Sequence, residues 1–257
     1  MKKTALITGA SIGIGSEFCK LFAQDGYDLI LVARSQNKLE VLAKELEENY
    51  KITTHVIVKD LSKADAAQEL FDETLAKNLQ VDVLVNNAGI GSNGKFTDLD
   101  LAAELNMVQL NVTSLVALCH LYGKAMTDRK QGKILNVAST AAFQPGPYMA
   151  NYYASKSYVL LFSEALHEEL KKEGVTVTAL CPGATKTEFF NAADMVGTNL
   201  AKSPFIMPAE KVAKIGYTAL NKGRAVVVSG WVNWVMAQSV RVSPRRVIRK
   251  VVAFINS

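Results

Sequence analysis

Tyr152 and Tyr153 stand four and three residues ahead of Lys156 in the stretch ANYYASK. On a helix both offsets place Cβ atoms about 5–6 Å apart on one face, so either phenol can meet the ammonium. A phenol ordinarily titrates near about 10, and bringing it to about 7 takes roughly 4 kcal/mol of preferential phenolate stabilisation. One ammonium about 4 Å away supplies on the order of 4 kcal/mol at an effective dielectric of about 20. A phenol tuned in this way protonates an oxygen that is gaining negative charge, as a carbonyl oxygen does on reduction. Spacing alone does not choose between the two tyrosines.

A second constellation lies near the start, where an apolar run ending at Thr8 meets TGASIGIG and then the helical pattern from Ser16 to Gln24. Glycines allow a tight turn and a close backbone approach, and a helix N-terminus offers unpaired N–H groups to an anion. Gly9, Ser11, Ile12, Gly13, Ile14 and Gly15 therefore form a candidate pyrophosphate cradle, spaced G-x-x-x-G-x-G instead of the commoner G-x-G-x-x-G. About 20 residues further on, an acidic residue ordinarily binds the ribose 2′-hydroxyl of NAD. This chain has Arg34 there, in VARS. A guanidinium pairs with a 2′-phosphate, with Ser11 and Ser35 as further donors, so NADP(H) is the expected cofactor.

Elements that would position these groups alternate along the chain. Thr4–Thr8, Asp28–Ala33, Thr53–Val58, Val81–Asn86, Lys133–Ala138, Val175–Leu180 and Ala225–Val228 read as strands; Lys38–Glu48, Ala64–Leu79 and Tyr152–Lys172 read as helices. The alternation predicts an α/β fold, a Rossmann-type doubly wound parallel sheet of about seven strands with helices on both faces of a single domain. A closed barrel shares the alternation, and the glycine turn decides for the open sheet. Residues 1–228 are expected to form the nucleotide-binding catalytic unit, with 229–257 as a C-terminal extension of the same domain.

The chain has 257 residues and net charge +5. Nine basic residues and no acidic one follow Glu210, so the remainder is net acidic. Positive charge confined to one region argues against a nucleic-acid partner. Cys19, Cys119 and Cys181 have neither disulfide density nor metal-ligand spacing, so no metal is expected and a cytoplasmic setting fits. The opening MKKTALITGASIGIGS reads as a first strand, because polar residues break its apolar run. No uninterrupted apolar run of about 18 residues occurs. From Pro244, helical periodicity puts Val247, Ile248, Val251, Val252, Phe254 and Ile255 on one side and Arg245, Arg246, Arg249 and Lys250 on the other, with Ser243 as the expected cap. Near Trp231 and Trp234, such a helix suits peripheral contact with an anionic membrane, an oligomer interface, or the protein's own substrate cleft.

Taken together, Thr8-Gly9-x3-Gly13-x-Gly15, Asn86-Asn87-Ala88-Gly89, Asn111, Ser139, Tyr152-x3-Lys156 and Pro182-Gly183 resemble the short-chain dehydrogenase/reductase family, in order, over roughly residues 1–230. The resemblance implies an oxidoreductase that interconverts a small carbonyl compound and its alcohol, commonly as a homo-oligomer. It assigns Tyr152 as acid/base, Ser139 as the group that polarises the carbonyl, Lys156 as the residue that tunes Tyr152 and binds ribose, and Asn111 as support for proton relay. Thr140 is the competing neighbour of Ser139, and Asn106 that of Asn111. For the cofactor it implies Asp60 and Leu61 at the adenine, Asn87, Ala88 and Gly89 beside the central sheet, and Pro182, Gly183, Thr185 and Thr187 at the carboxamide, with Tyr152 and Lys156 shared. A helix cap is the alternative role for Asp60. The family's substrate flap falls on 189–208, where Phe189, Phe190, Met195, Leu200, Phe205, Ile206 and Met207 suggest a hydrophobic substrate, including 3-oxoacyl thioesters and lipid or steroid ketones. A non-catalytic nicotinamide sensor or membrane-associated scaffold is the alternative of another class.

Overall fold

The computed structural model describes residues 2–195, 197–201 and 205–257. Its strands are β1 (Thr4–Thr8), β2 (Asp28–Ala33), β3 (Thr54–Val58), β4 (Val83–Asn86), β5 (Gly132–Val137), β6 (Val175–Cys181), the short β7 (Thr185–Lys186) and β8 (Met207–Pro208), and β9 (Val226–Val228). Seven of them form one parallel sheet in the order β3-β2-β1-β4-β5-β6-β9, while β7 and β8 pair separately. Strand ends differ from expectation by a residue or two, in either direction, because pairing with the neighbouring strand and not the apolar pattern sets them.

Alternation along the strands explains the layers. In β1, Leu6 points into one core with Ile30 and Val32 of β2, while Ala5 and Ile7 point into the other with Leu29 and Leu31. Both faces are thus apolar and both need helices. On one side lie α1 (Gly13–Gln24), α2 (Gln36–Tyr50) and α8 (Ala209–Asn221), through residues such as Phe18, Leu39 and Val212. Across the sheet lie α3 (Ala66–Ala76), α5 (Leu115–Asp128) and α6 (Ala150–Lys171), through Leu70, Leu118 and Val159.

The short α4 (Leu101–Val108) runs through a π-helical turn, Gln109–Ser114, into α5. This run, Leu101–Asp128, is long and apolar enough by composition to cross a membrane, with mean hydropathy 1.3. In the fold it supplies core side chains, among them Leu115, Tyr122 and Met126.

Chain order reverses at the gap between β1 and β4, so the loops leaving those two strands part there and open a crevice. Gly9–Gly15 and Asn87–Gly89 line it.

After β6 come α7 (Phe189–Ala192), then α9 (Trp231–Ser239) and α10 (Arg245–Asn256) beyond β9. Of the expected flap, positions 196 and 202–204 lie outside the described residues. The tail departs from its expected single apolar face. Ile248 and Val252 are buried in a cluster with Tyr153, Met149 and Met195, while Val247, Val251 and Phe254 face outward. One stripe of a helix fits into a core, and the wider apolar arc read from the sequence exceeds it. The cap also shifts by one residue: Pro244 precedes the helix, and Ser243 Oγ donates to Ser239 O at 2.8 Å.

Candidate active site

Glycine chemistry shapes the nucleotide end. Gly13 has φ +63°, the left-handed region that costs most side chains dearly. At Gly15 a Cβ would lie 2.1 Å from Gly9 O, so the first helix approaches the end of β1 only because that carbon is missing. Ile12 precedes α1 without a side-chain cap, and the first turn carries no acidic residue, which leaves its N–H donors suited to an anion. Ser11 and Ile14 are half-buried around this turn. Thr187 Cγ2 would lie 3.1 Å from a Cβ on Gly13, so the loop after β6 reaches over the glycine turn. These features fit a dinucleotide pyrophosphate.

Asn87 ties the crevice together. Its Nδ2 donates to Thr8 O at 2.9 Å and Gly9 O at 3.2 Å, and Thr8 Oγ1 accepts from Asn87 N and Ala88 N, both at 3.0 Å. Arg34 is exposed just after β2. It acts electrostatically on Asp60: burial raises the Asp60 carboxyl, but hydrogen bonds from Ser62 and the charges of Arg34 and Lys63 hold it below its ordinary value. Asp60 does not cap α3; its Oδ1 accepts from Ser62 N at 3.1 Å and Ser62 Oγ at 2.8 Å, a local turn. Leu61 is buried, with its carbonyl accepting from Ser114 Oγ at 2.5 Å.

At the chemical end the two tyrosines separate. Tyr153 is buried and its hydroxyl donates to Asn256 Oδ1 at 3.1 Å. Tyr152 instead sits beside Ser139, whose hydroxyl counters part of the effect of burial on the phenol. Ser139 follows β5, caps the short turn Thr140–Phe143 by accepting from Ala141 N at 3.1 Å, and donates to Pro182 O at 3.4 Å. Burial pushes the Tyr152 phenol up to about 12, opposed by the Ser139 hydroxyl and reinforced by Tyr153. Lys156 is not among the groups that shift the phenol, so the expected lowering by lysine gives way to a rise from burial. Lys156 is buried, donates to Val137 O at 2.9 Å, and is pulled by burial down to about 8.

Asn111 sits in the π turn, buried, with Oδ1 accepting from Ile90 N at 3.0 Å and Nδ2 donating to Ile90 O at 2.9 Å and Ser155 Oγ at 3.2 Å. Asn106 is exposed on α4, away from these bonds. A Cβ on Gly89 would lie 3.2 Å from Asn111 Oδ1 and 3.3 Å from Lys156 Nζ, so all three converge. Pro182, Gly183, Thr185 and Thr187 follow β6; Thr185 Oγ1 donates to Gly183 O at 2.9 Å, and Thr187 Oγ1 to Thr185 O at 3.4 Å. Phe189 covers the Tyr152 ring at 5.3 Å between centroids. Sequence reasoning missed Ser155, Ile90 and Val137, two of which act through backbone groups that leave no side-chain signal.

A family model for the short chain dehydrogenase matches residues 3–195. The chain belongs to the short-chain dehydrogenase/reductase family. Among its relatives, the very-long-chain 3-oxoacyl-CoA reductase of Anas platyrhynchos is 35% identical over 185 residues, covering 69% of this chain and 58% of that protein. The inactive hydroxysteroid dehydrogenase-like protein 1 of Homo sapiens is 31% identical over 212 residues, covering 81% of this chain and 62% of that one. This family member thus spans about three fifths of the length of those relatives. A short-chain dehydrogenase from Sphingobium yanoikuyae in complex with NADPH shares the fold at TM-score 0.84 and 28% identity, covering 93% of this chain and 94% of that one.

Proposed function

We propose that this short-chain dehydrogenase/reductase is an NADP(H)-dependent oxidoreductase that interconverts a hydrophobic ketone or aldehyde and its alcohol. The observation carrying this reading is the approach of the buried Lys156 Nζ to 5.8 Å from the centre of the Tyr152 ring, one turn along the same helix. A bound nicotinamide would supply the hydride for the carbonyl carbon. Tyr152 Oη gives its proton to the carbonyl oxygen as that oxygen gains charge, and Ser139 Oγ, presented at the same point, stabilises the developing oxyanion. The phenolate left behind is favoured by the Lys156 charge and is then reprotonated, with Asn111 holding the Ile90 loop against Ser155 beside that lysine. Arg34 would meet the 2′-phosphate, and the Gly9–Gly15 turn with Asn87, Ala88 and Gly89 would hold the pyrophosphate and nicotinamide ribose. Asp60 and Leu61 would bound the adenine, and Pro182, Gly183, Thr185 and Thr187 the carboxamide.

The apolar cluster around Tyr152, with Phe189, Phe190, Met195 and Leu200, supports a bulky apolar substrate. Similarity to the very-long-chain 3-oxoacyl-CoA reductase of Anas platyrhynchos makes a 3-oxoacyl thioester the first member of that class to try, ahead of steroid ketones. NADPH oxidation measured across ketones and 3-oxoacyl thioesters of increasing chain length tests the proposal. No turnover of any of them, with NADPH still bound, would leave the non-catalytic alternative that the inactive human relative represents.

Three buried free thiols, all raised by burial, support a reducing, cytoplasmic setting. Exposed Leu101, Leu105 and Leu161 on α4 and α6 support self-association, which Leu161→Arg would weaken in sedimentation velocity. Exposed Trp231, Trp234, Val247, Val251 and Phe254, in the basic tail, support peripheral contact with anionic lipid. Equal liposome flotation of the parent and Phe254→Ser would remove that last reading.

A further inference from the structure

The last four carbonyls of a helix have no partner within it. At the end of α10 each is met from outside. Asn199 Nδ2 donates to Phe254 O at 2.8 Å, Leu200 N to Ile255 O at 3.1 Å, Asn93 Nδ2 to Asn256 O at 2.9 Å, and Asn199 N to Ser257 O at 3.3 Å. Asn93 belongs to the loop after β4, and Asn199 and Leu200 to the loop after β6.

The Asn256 side chain adds a third segment. Its Nδ2 donates to Pro147 O at 2.9 Å, in the loop leading to α6, while its Oδ1 accepts from Tyr153. Asn256 is fully buried, and leaving its amide unpaired would be costly. Val252 and Ile248, one and two turns back, pack in the same cluster as Tyr153 and Met195, against which Tyr152 and Phe189 lie. Three loops around the Tyr152 phenol thus share one anchor, the C-terminal turn of the chain.

We infer that α10 is the outer wall of the substrate site and that Asn256 is its positioning residue, setting the preference for carbonyl compounds with a large apolar group. This rests on the carbonyl-oxidoreductase reading above. The wall packs in the cluster that holds Tyr152 and Phe189, so it is expected to bear on the substrate more than on the dinucleotide. Binding energy from a remote apolar group is realised only if the surface it meets is held in place.

Asn256→Ala is expected to raise KM for a long-chain ketone about tenfold more than KM for a short one, with NADPH affinity unchanged by fluorescence titration. Tyr153→Phe, which keeps the ring and loses one bond, and Asn93→Ala, which loses another, are expected to shift the same ratio by smaller factors. They serve if Asn256→Ala does not fold. Amide hydrogen exchange is the readout independent of turnover: it should rise in 90–94, 146–149 and 197–201 and stay unchanged in β1 and β4. An equal KM change for short and long ketones, or exchange that rises across the sheet as well, overturns the assignment. If the parent reduces no carbonyl compound, the functional reading fails, and the exchange pattern alone decides whether Asn256 anchors the wall.

Discussion

Lys156 Nζ lies 5.8 Å from the centre of the Tyr152 ring and donates to Val137 O at 2.9 Å. One helical turn brings the two side chains close, and the end of β5 fixes where the ammonium points. The Ser139 hydroxyl, meanwhile, counters part of the effect of burial on the Tyr152 phenol. A phenol, a hydroxyl and a buried cation are therefore brought together by α6 and the end of β5.

Removing the phenol tests that assembly. Tyr152→Phe is expected to lower turnover by at least about a hundredfold, the usual contribution of a positioned acid. NADPH binding, measured by fluorescence titration, should stay within a few-fold of the parent. Retained turnover would exclude Tyr152 as the proton donor.

Burial of Lys156 predicts a pH-dependent stability. Its folded pKa of about 8 lies below the ordinary 10.5, so the folded protein holds fewer protons than the unfolded chain between those values. The stability linked to this group is present above 10.5 and is lost as pH falls towards 8. Urea denaturation should therefore show the parent gaining on Lys156→Met as pH rises through that window. Tyr152 has the opposite sign: its raised pKa contributes stability below 10 that is lost as pH climbs towards about 12. A parent-to-variant difference that does not vary with pH would show that Lys156 titrates as a solvated lysine.

Cofactor choice is expected to turn on Arg34. Arg34→Asp should weaken NADPH binding about ten- to hundredfold, the loss of a charged hydrogen-bonded pair, and leave NADH binding equal or tighter. Calorimetric titration of both dinucleotides checks this. An unchanged preference would place the 2′-phosphate elsewhere.

Close approach at the glycine turn makes Gly15 sensitive to a single methyl group. Gly15→Ala puts a carbon 2.1 Å from Gly9 O, so the helix must move. A loss of about 1–3 kcal/mol in stability is expected, together with loss of NADPH binding. Gly197→Ala, where nothing lies within 4 Å of the added carbon, should be near neutral in the same thermal melt.

Much of this was legible in the residues themselves. Short, nearly unbroken apolar runs such as LIT and DLILVA identified the strands, and the glycine turn marked where a dinucleotide would lie. Tyr152, Tyr153 and Lys156 announced a phenol–ammonium pair through spacing alone. Spacing did not separate the two tyrosines and the family resemblance chose Tyr152; the tertiary structure shows how they differ, because the difference depends on a group far along the chain, Asn256, which takes the Tyr153 hydroxyl. The tail shows the same division. Its periodicity determined an amphipathic helix, but only packing against Met149, Met195 and Tyr153 determined that Ile248 and Val252 turn inward while Val247 and Phe254 do not. Local sequence dictates backbone conformation and the presence of an apolar face; the partner that covers that face is set by non-local contacts, which no local pattern encodes.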